Sequence, residues 1–114
     1  MTGRPYTAAV RAGDLLFVSG QLPIRDGQIV PGDVATQTKV TLENLESVLL
    51  EHGATRANVV KTLVMLADIS DWAEMNGPYV DFFAAGRLPA RSAMGVSLTR
   101  GALVEIEAVA YLGN

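Results

Sequence analysis

A chain of 114 residues is the size of one domain, and 49% hydrophobic against 18% charged residues makes it globular rather than disordered. With no cysteine there is no disulfide framework, thiolate nucleophile or zinc knuckle, and a single histidine, His52, leaves no multi-histidine metal site and no Ser–His dyad. A net charge of −3 argues against a phosphate-backbone binder, and neither a membrane span nor an apolar signal-peptide core is visible, so a cytoplasmic protein is expected.

Tyr6 to Arg11 is short and mildly β-prone and ends at the turn Ala12-Gly13-Asp14. Leu15 to Gln21, LLFVSGQ, is β-rich and bounded by turn residues, so the two runs predict an opening hairpin. Pro23 ends it, and Arg25 to Asp33 reads as a loop. From Val34 to His52 the pattern is helical. Asp33 suits the N-cap, Gly53 the C′ position, and Val34, Thr38, Thr41, Leu45, Val48 and Leu49 recur on one face. His52 then falls in the last turn, where a cation favours the helix dipole.

Val59 to Ile69, VVKTLVMLADI, is apolar at most positions and reads as a strand covered on both faces. Ser70 or Asp71 caps a second helix, with Glu74 at the capping-box position relative to Asp71. Trp72, Met75, Tyr79, Phe82 and Phe83 supply its buried stripe. Gly77-Pro78 predicts a kink near Asn76 and a second helical piece from Pro78 to Phe83.

The stretch from Leu88 to Tyr111 reads as a strand opened by Arg91, a turn, and a strand carrying Glu105 and Glu107. The order is β-β-α-β-α-β-β, an α+β fold with two helices on one face of a sheet, one domain over residues 1–114. Val104, Ile106, Ala108 and Ala110 form a small apolar face suited to packing beneath helices. Leu103, Glu105, Glu107, Val109 and Tyr111 form a mixed face too apolar to be left wet, which predicts an obligate oligomer.

The chemistry available is that of Arg, Glu, Asp, Tyr, Ser, Thr and backbone. Arg91 is followed on its strand face by Ala93, Gly95 and Ser97. These small residues leave room for a carboxylate held by two parallel hydrogen bonds, or else allow close sheet packing while Arg91 pairs with an acid. Glu105 and Glu107 share a strand face in apolar company, where a carboxylate acquires a raised pKa and can activate a water. In a simple hairpin Arg91 would lie five residues from the residue facing Glu105, roughly 17 Å away. The two therefore belong to strands that are not neighbours, or they meet across subunits. Gly20, ending a strand beside Ser19, permits close backbone approach to a ligand or marks a bulge. Spacing alone assigns Tyr6 and Asn76 to packing or capping.

Over essentially its whole length the sequence resembles the Rid/YjgF family of reactive-intermediate deaminases. The match runs through Pro5-Tyr6, FVSGQLP, GDVATQT with LENL, VVKTLVMLADI, Met75-Asn76 with Tyr79, PARS (Pro89 to Ser92) and GALVEIEAVA. The resemblance implies a chorismate-mutase-like fold, a mixed sheet, and a homotrimer with ligand clefts between subunits. It also implies hydrolysis of 2-aminoacrylate and related enamines or imines to 2-keto acids and ammonia, with no cofactor and no metal. By the same resemblance Arg91 binds the substrate carboxylate and Glu105 positions the attacking water. Tyr6, Ser19, Gly20 and Asn76 then line the cleft, with Ala93 beside Arg91. Arg4, Ala93, Gly95 and Gly77-Pro78 depart from the common pattern, which bears on the substrate. The alternative reading is a carboxylate-binding or chaperone-like member of the family without deaminase activity. An RNA-directed role, claimed for some relatives, has no basic patch to support it and a pI near 5.0 against it.

Overall fold

A computed structural model describes residues 4–113. The opening hairpin joins β1 (Ala9–Ala12) to β2 (Leu15–Gln21), antiparallel across a turn in which Gly13 takes φ 60°. The first strand is shorter than the sequence suggests and starts at Ala9. The expected loop after Pro23 contains a second, two-residue hairpin, β3 (Ile24–Arg25) with β4 (Gln28–Ile29). Asp26 and Gly27 connect its strands with positive φ values of 54° and 78°, the Asp-Gly chemistry that such tight turns require.

Helix α1 (Val34–Glu51) has the expected ends. The Asp33 side chain accepts the Thr36 amide, and Gly53 takes φ 77° just beyond the C-cap His52. The His52 ring Nδ1 bonds the Val48 carbonyl at 2.8 Å, so the lone histidine closes a helix end. All six positions expected on the inner face are buried.

Strand β5 (Val59–Leu66) stops three residues earlier than read from sequence, because Ile69–Asp71 coils into a 3-10 turn. Its capping residue is Asp68, whose carboxylate takes both the amide and the hydroxyl of Ser70. Asp71 makes no side-chain cap bond to α2 (Trp72–Phe82), so the expected capping box is absent. The expected break at Gly77-Pro78 is corrected too: α2 runs through Pro78 as one helix. The carbonyl deprived of its donor belongs to exposed Glu74, where water can serve it, while Met75, Tyr79 and Phe83 anchor the same side to the core. Trp72, at 43% exposure, lies outside that stripe, and Phe82 is half-buried.

Strand β6 (Ala90–Gly95) pairs parallel with β5, and β7 (Val104–Tyr111) pairs antiparallel with both β5 and β2. The mixed sheet has the order β1-β2-β7-β5-β6. Arg91 and Glu105 are therefore not on neighbouring strands: β5 lies between theirs. Both helices cover one face of the sheet. Leu16, Val18, Val59, Val64, Leu66, Val104, Ile106, Ala108 and Ala110 pack beneath them, all at most 4% exposed.

The other face is open within the chain. Val10, Leu15, Phe17, Met94 and Tyr111 on it are each between 38% and 52% exposed, and Leu63, Met65 and Val109 are half-buried. Strand β5 is thus covered on one face only, not on both. Its apolar character on the second side belongs to this unfilled surface, larger than a lone domain normally leaves to water. Among the described residues no helix is long and apolar enough to cross a membrane.

Candidate functional site

Arg91 sits near the start of edge strand β6, paired with Thr62 of β5 on the helix-covered face. Helix α2 presents Trp72, Asn76 and Tyr79 to it at spacings of four and three residues, one helical face. The guanidinium carbon lies 4.9 Å from the Trp72 ring centroid and 4.8 Å from that of Tyr79, within cation–π range of both. Arg91 Nη1 donates to Asn76 Oδ1 at 2.7 Å. Tyr79 is fixed in turn by a 2.6 Å hydroxyl contact with buried Thr62, and burial pushes its phenol above the ordinary value. Held on three sides, the guanidinium keeps Nε and Nη2 without a partner among the described residues. That is the fork that takes a carboxylate through two parallel bonds.

Glu105 sits on β7 opposite Met65, on the open face. It lines a cavity of about 300 Å³ with Tyr6, Ser19, Gly20, Leu22 and Thr99. The Ser19 hydroxyl donates to the Ala8 carbonyl at 3.1 Å, tying the Tyr6 segment to the end of β2. Gly20 has a local reason: a Cβ there would collide with the Glu105 carboxylate. The β2–β7 register also slips between Val18 and Gln21, so both sequence readings of Gly20, close approach and bulge, hold. Burial raises the Glu105 carboxyl above its ordinary range, and the neighbouring Glu107 carboxylate adds to the shift. Glu105 has no hydrogen-bond partner among the described residues. A carboxylate in that state has the chemistry to accept a proton or a hydrogen bond from water, and it is not half of a salt bridge.

The candidate residues thus fall into two groups. Tyr6, Ser19 and Gly20 gather around Glu105, whereas Asn76 joins Arg91. Ala93, one pleat along from Arg91, packs against the core beside neither carboxylate. Gly95 is explained by packing, since a Cβ would approach the Ile69 side chain to 3.1 Å. Glu107 is exposed and borders a separate open-face cavity with Lys61, Leu63 and Met94. The backbones of Arg91 and Glu105 are two strand spacings apart and three residues out of register, roughly 14 Å, with side chains on opposite faces.

Sequence reasoning missed Trp72 and Tyr79 as walls of the Arg91 site, although their spacing around Asn76 carried the signal. Nothing in the sequence marked Thr99, which arrives from the 3-10 turn at Thr99–Gly101. Among the described residues no cluster of three or more His, Cys, Asp or Glu side chains could hold a metal ion.

A family model described as Endoribonuclease L-PSP matches residues 1–112. The 2-iminobutanoate/2-iminopropanoate deaminase of Mus musculus is 44% identical over 112 residues, covering 96% of this chain and 82% of the mouse protein. A crystal structure of a Rid family protein from Yersinia pestis matches with a TM-score of 0.92 at 38% identity, over 96% of this chain and 90% of that one. The crystal structure of E. coli TdcF with bound serine matches with a TM-score of 0.91 at 32% identity, over 98% and 91%. The fold and these likenesses agree: the chain belongs to the Endoribonuclease L-PSP family, the group that includes the Rid/YjgF proteins.

Proposed function

We propose that the protein hydrolyses small reactive 2-imino and enamine acids of the 2-aminoacrylate type to 2-keto acids and ammonia. The reaction needs no cofactor and takes place in clefts between the subunits of a homotrimer. One observation carries this reading: a preorganised guanidinium with free donors and a desolvated carboxylate lie on opposite faces of one sheet. Each is half of a site that a second copy, covering the apolar open face, would complete.

In such a cleft Arg91 of one copy holds the substrate carboxylate. Its charge draws electron density from the adjacent C=N carbon and sets that carbon before Glu105 of the neighbour. Glu105 accepts a hydrogen bond from a water and takes its proton as oxygen attacks. That proton passes to nitrogen to give the carbinolamine, whose hydroxyl proton Glu105 then takes and delivers to the amino group, so that ammonia leaves as the C–N bond breaks and the C=O bond forms. An enamine substrate first takes a proton on carbon to give the imine. The mouse relative's name supports this chemistry.

The test is release of ammonia and keto acid from imines generated in situ by an amino-acid oxidase. Wild-type protein should accelerate it, and Arg91→Ala should lose at least about 100-fold in kcat/KM, as expected for removal of a substrate-positioning ion pair. Equal rates for the two would sink the proposal. A second reading, a carboxylate-binding protein without turnover, draws support from serine bound in E. coli TdcF. Thermal stabilisation by 2-keto acids with no acceleration of any imine would favour it.

A further inference from the structure

We infer that the cavity next to Glu105, where Arg4 stands, receives a second anionic group on the substrate, so that the preferred substrates are imines of dicarboxylic amino acids. This rests on the imine-hydrolysis reading of the Glu105 cleft.

The cavity has a volume of about 310 Å³ and lies between the end of β2, the N-terminal segment and α1. Tyr6, Ser19, Gly20 and Leu22 line both this cavity and that of Glu105, so the two spaces share a wall along the end of β2. Three of its other polar side chains are already committed. Asn44 donates to the Leu22 and Ile24 carbonyls at 2.9 Å each, Gln21 donates to the Ser19 carbonyl, and Ser47 to the Glu43 carbonyl. Leu22, Ile24 and Val48 supply apolar wall suited to the methylenes of a short side chain.

Among the described residues Arg4 is the one charged residue lining the space. It forms no ion pair among the described residues. Its guanidinium carbon stands 5.7 Å over the centroid of the Tyr6 ring, so Arg4 leans on a residue of the Glu105 cavity rather than away from it. A guanidinium in a concave site with no counter-charge among its lining residues creates a positive potential there. It also leaves a planar set of donors for a carboxylate. A substrate spanning the site would place its α-carboxylate on Arg91 of the neighbouring copy and its C=N carbon before Glu105. Its distal carboxylate would reach Arg4. A neutral side chain of the same length gains nothing from that guanidinium.

The experiment compares two keto acids of equal chain length, 2-oxoglutarate and 2-oxopentanoate, by calorimetric titration of wild type, Arg4→Gln and Arg4→Lys. Turnover of the alanine-derived and glutamate-derived imines is measured in parallel. Wild type should bind 2-oxoglutarate about fivefold to tenfold more tightly, the range for one partly solvated charge-assisted contact. Arg4→Gln should reduce that ratio to about one, and Arg4→Lys should keep part of it. An equal ratio in wild type and Arg4→Gln overturns the assignment of Arg4, whatever the turnover. Loss of the ratio in Arg4→Gln without turnover of any imine supports the Arg4 anion site and sinks the hydrolysis reading instead.

Discussion

Gly20→Ala tests whether the Glu105 carboxylate acts from where it stands. The added methyl would overlap Glu105 Oε2 and come within 2.9 Å of its Cδ and 3.1 Å of its Cγ. Ordinary contact needs about 3.5 Å, so the carboxyl group must swing aside by something on the order of 1–2 Å. For a group that orients the attacking water, a misplacement of about 1 Å costs roughly 100-fold in rate. Stability should barely change. Glu105 gives up no hydrogen bond, an off-rotamer side chain costs about 1 kcal/mol, and replacing Gly by Ala returns a similar amount by restricting the unfolded chain. The expected Tm shift is therefore within about 5 °C of zero. Gly86→Ala serves as control, because nothing lies within 4 Å of a Cβ built there. The assay is ammonia release from the alanine-derived imine with the melting curve run in parallel. Gly20→Ala with wild-type turnover and an unchanged Tm would refute the role given to Glu105.

The raised Glu105 carboxyl fixes the sign of a pH effect. Between the ordinary glutamate value of 4.5 and the higher folded value, the native state holds the extra proton, so stability declines as pH rises through that window. Glu105→Gln should accordingly gain in Tm relative to wild type at pH 7 and lose that gain below pH 4, measured by calorimetry at both. Arg56 joins α1 to the end of α2: its guanidinium bonds both Glu46 oxygens at 2.7 and 2.8 Å, donates to the Phe82 carbonyl at 2.8 Å, and lies 4.0 Å from the Phe82 ring centroid. Arg56→Ala should cost about 1–3 kcal/mol, read from denaturant unfolding, with no change in substrate preference. Phe17, 45% exposed on the open sheet face, tests the proposed oligomer. Phe17→Glu should shift sedimentation from trimer to monomer while far-UV dichroism is kept. A trimer that survives the substitution would move the subunit contact elsewhere.

Local chemistry explains why the elements were legible. Asp33 and Gly53 closed α1 where expected because capping depends on residues within one turn of the helix end. The alternation of β7 named its buried face correctly, since successive strand side chains must point opposite ways. The misreadings share another cause. Pro78 was given its local cost without the anchoring of Met75, Tyr79 and Phe83 that outweighs it. The apolar run of β5 reads locally as cover on both faces, but half of it belongs to the open surface. Asp68 is hidden as a cap in the sequence because the apolar run continues to Ile69.

Residue type alone marked Arg91 and Glu105, for a guanidinium and a carboxylate on otherwise apolar strands carry a desolvation cost that packing does not explain. Strand order does not follow from residue type. Pairing depends on long-range contacts, and β6 docks parallel to β5 rather than folding back on β7. That arrangement sends Arg91 to the helix side, between Trp72 and Tyr79, and Glu105 to the open side behind Gly20. The sequence by itself determined which groups are available for chemistry and how each helix and strand is patterned. The tertiary structure decided that the two charges face opposite ways, because a sheet has two sides and only the register and order of its strands assign a residue to one of them.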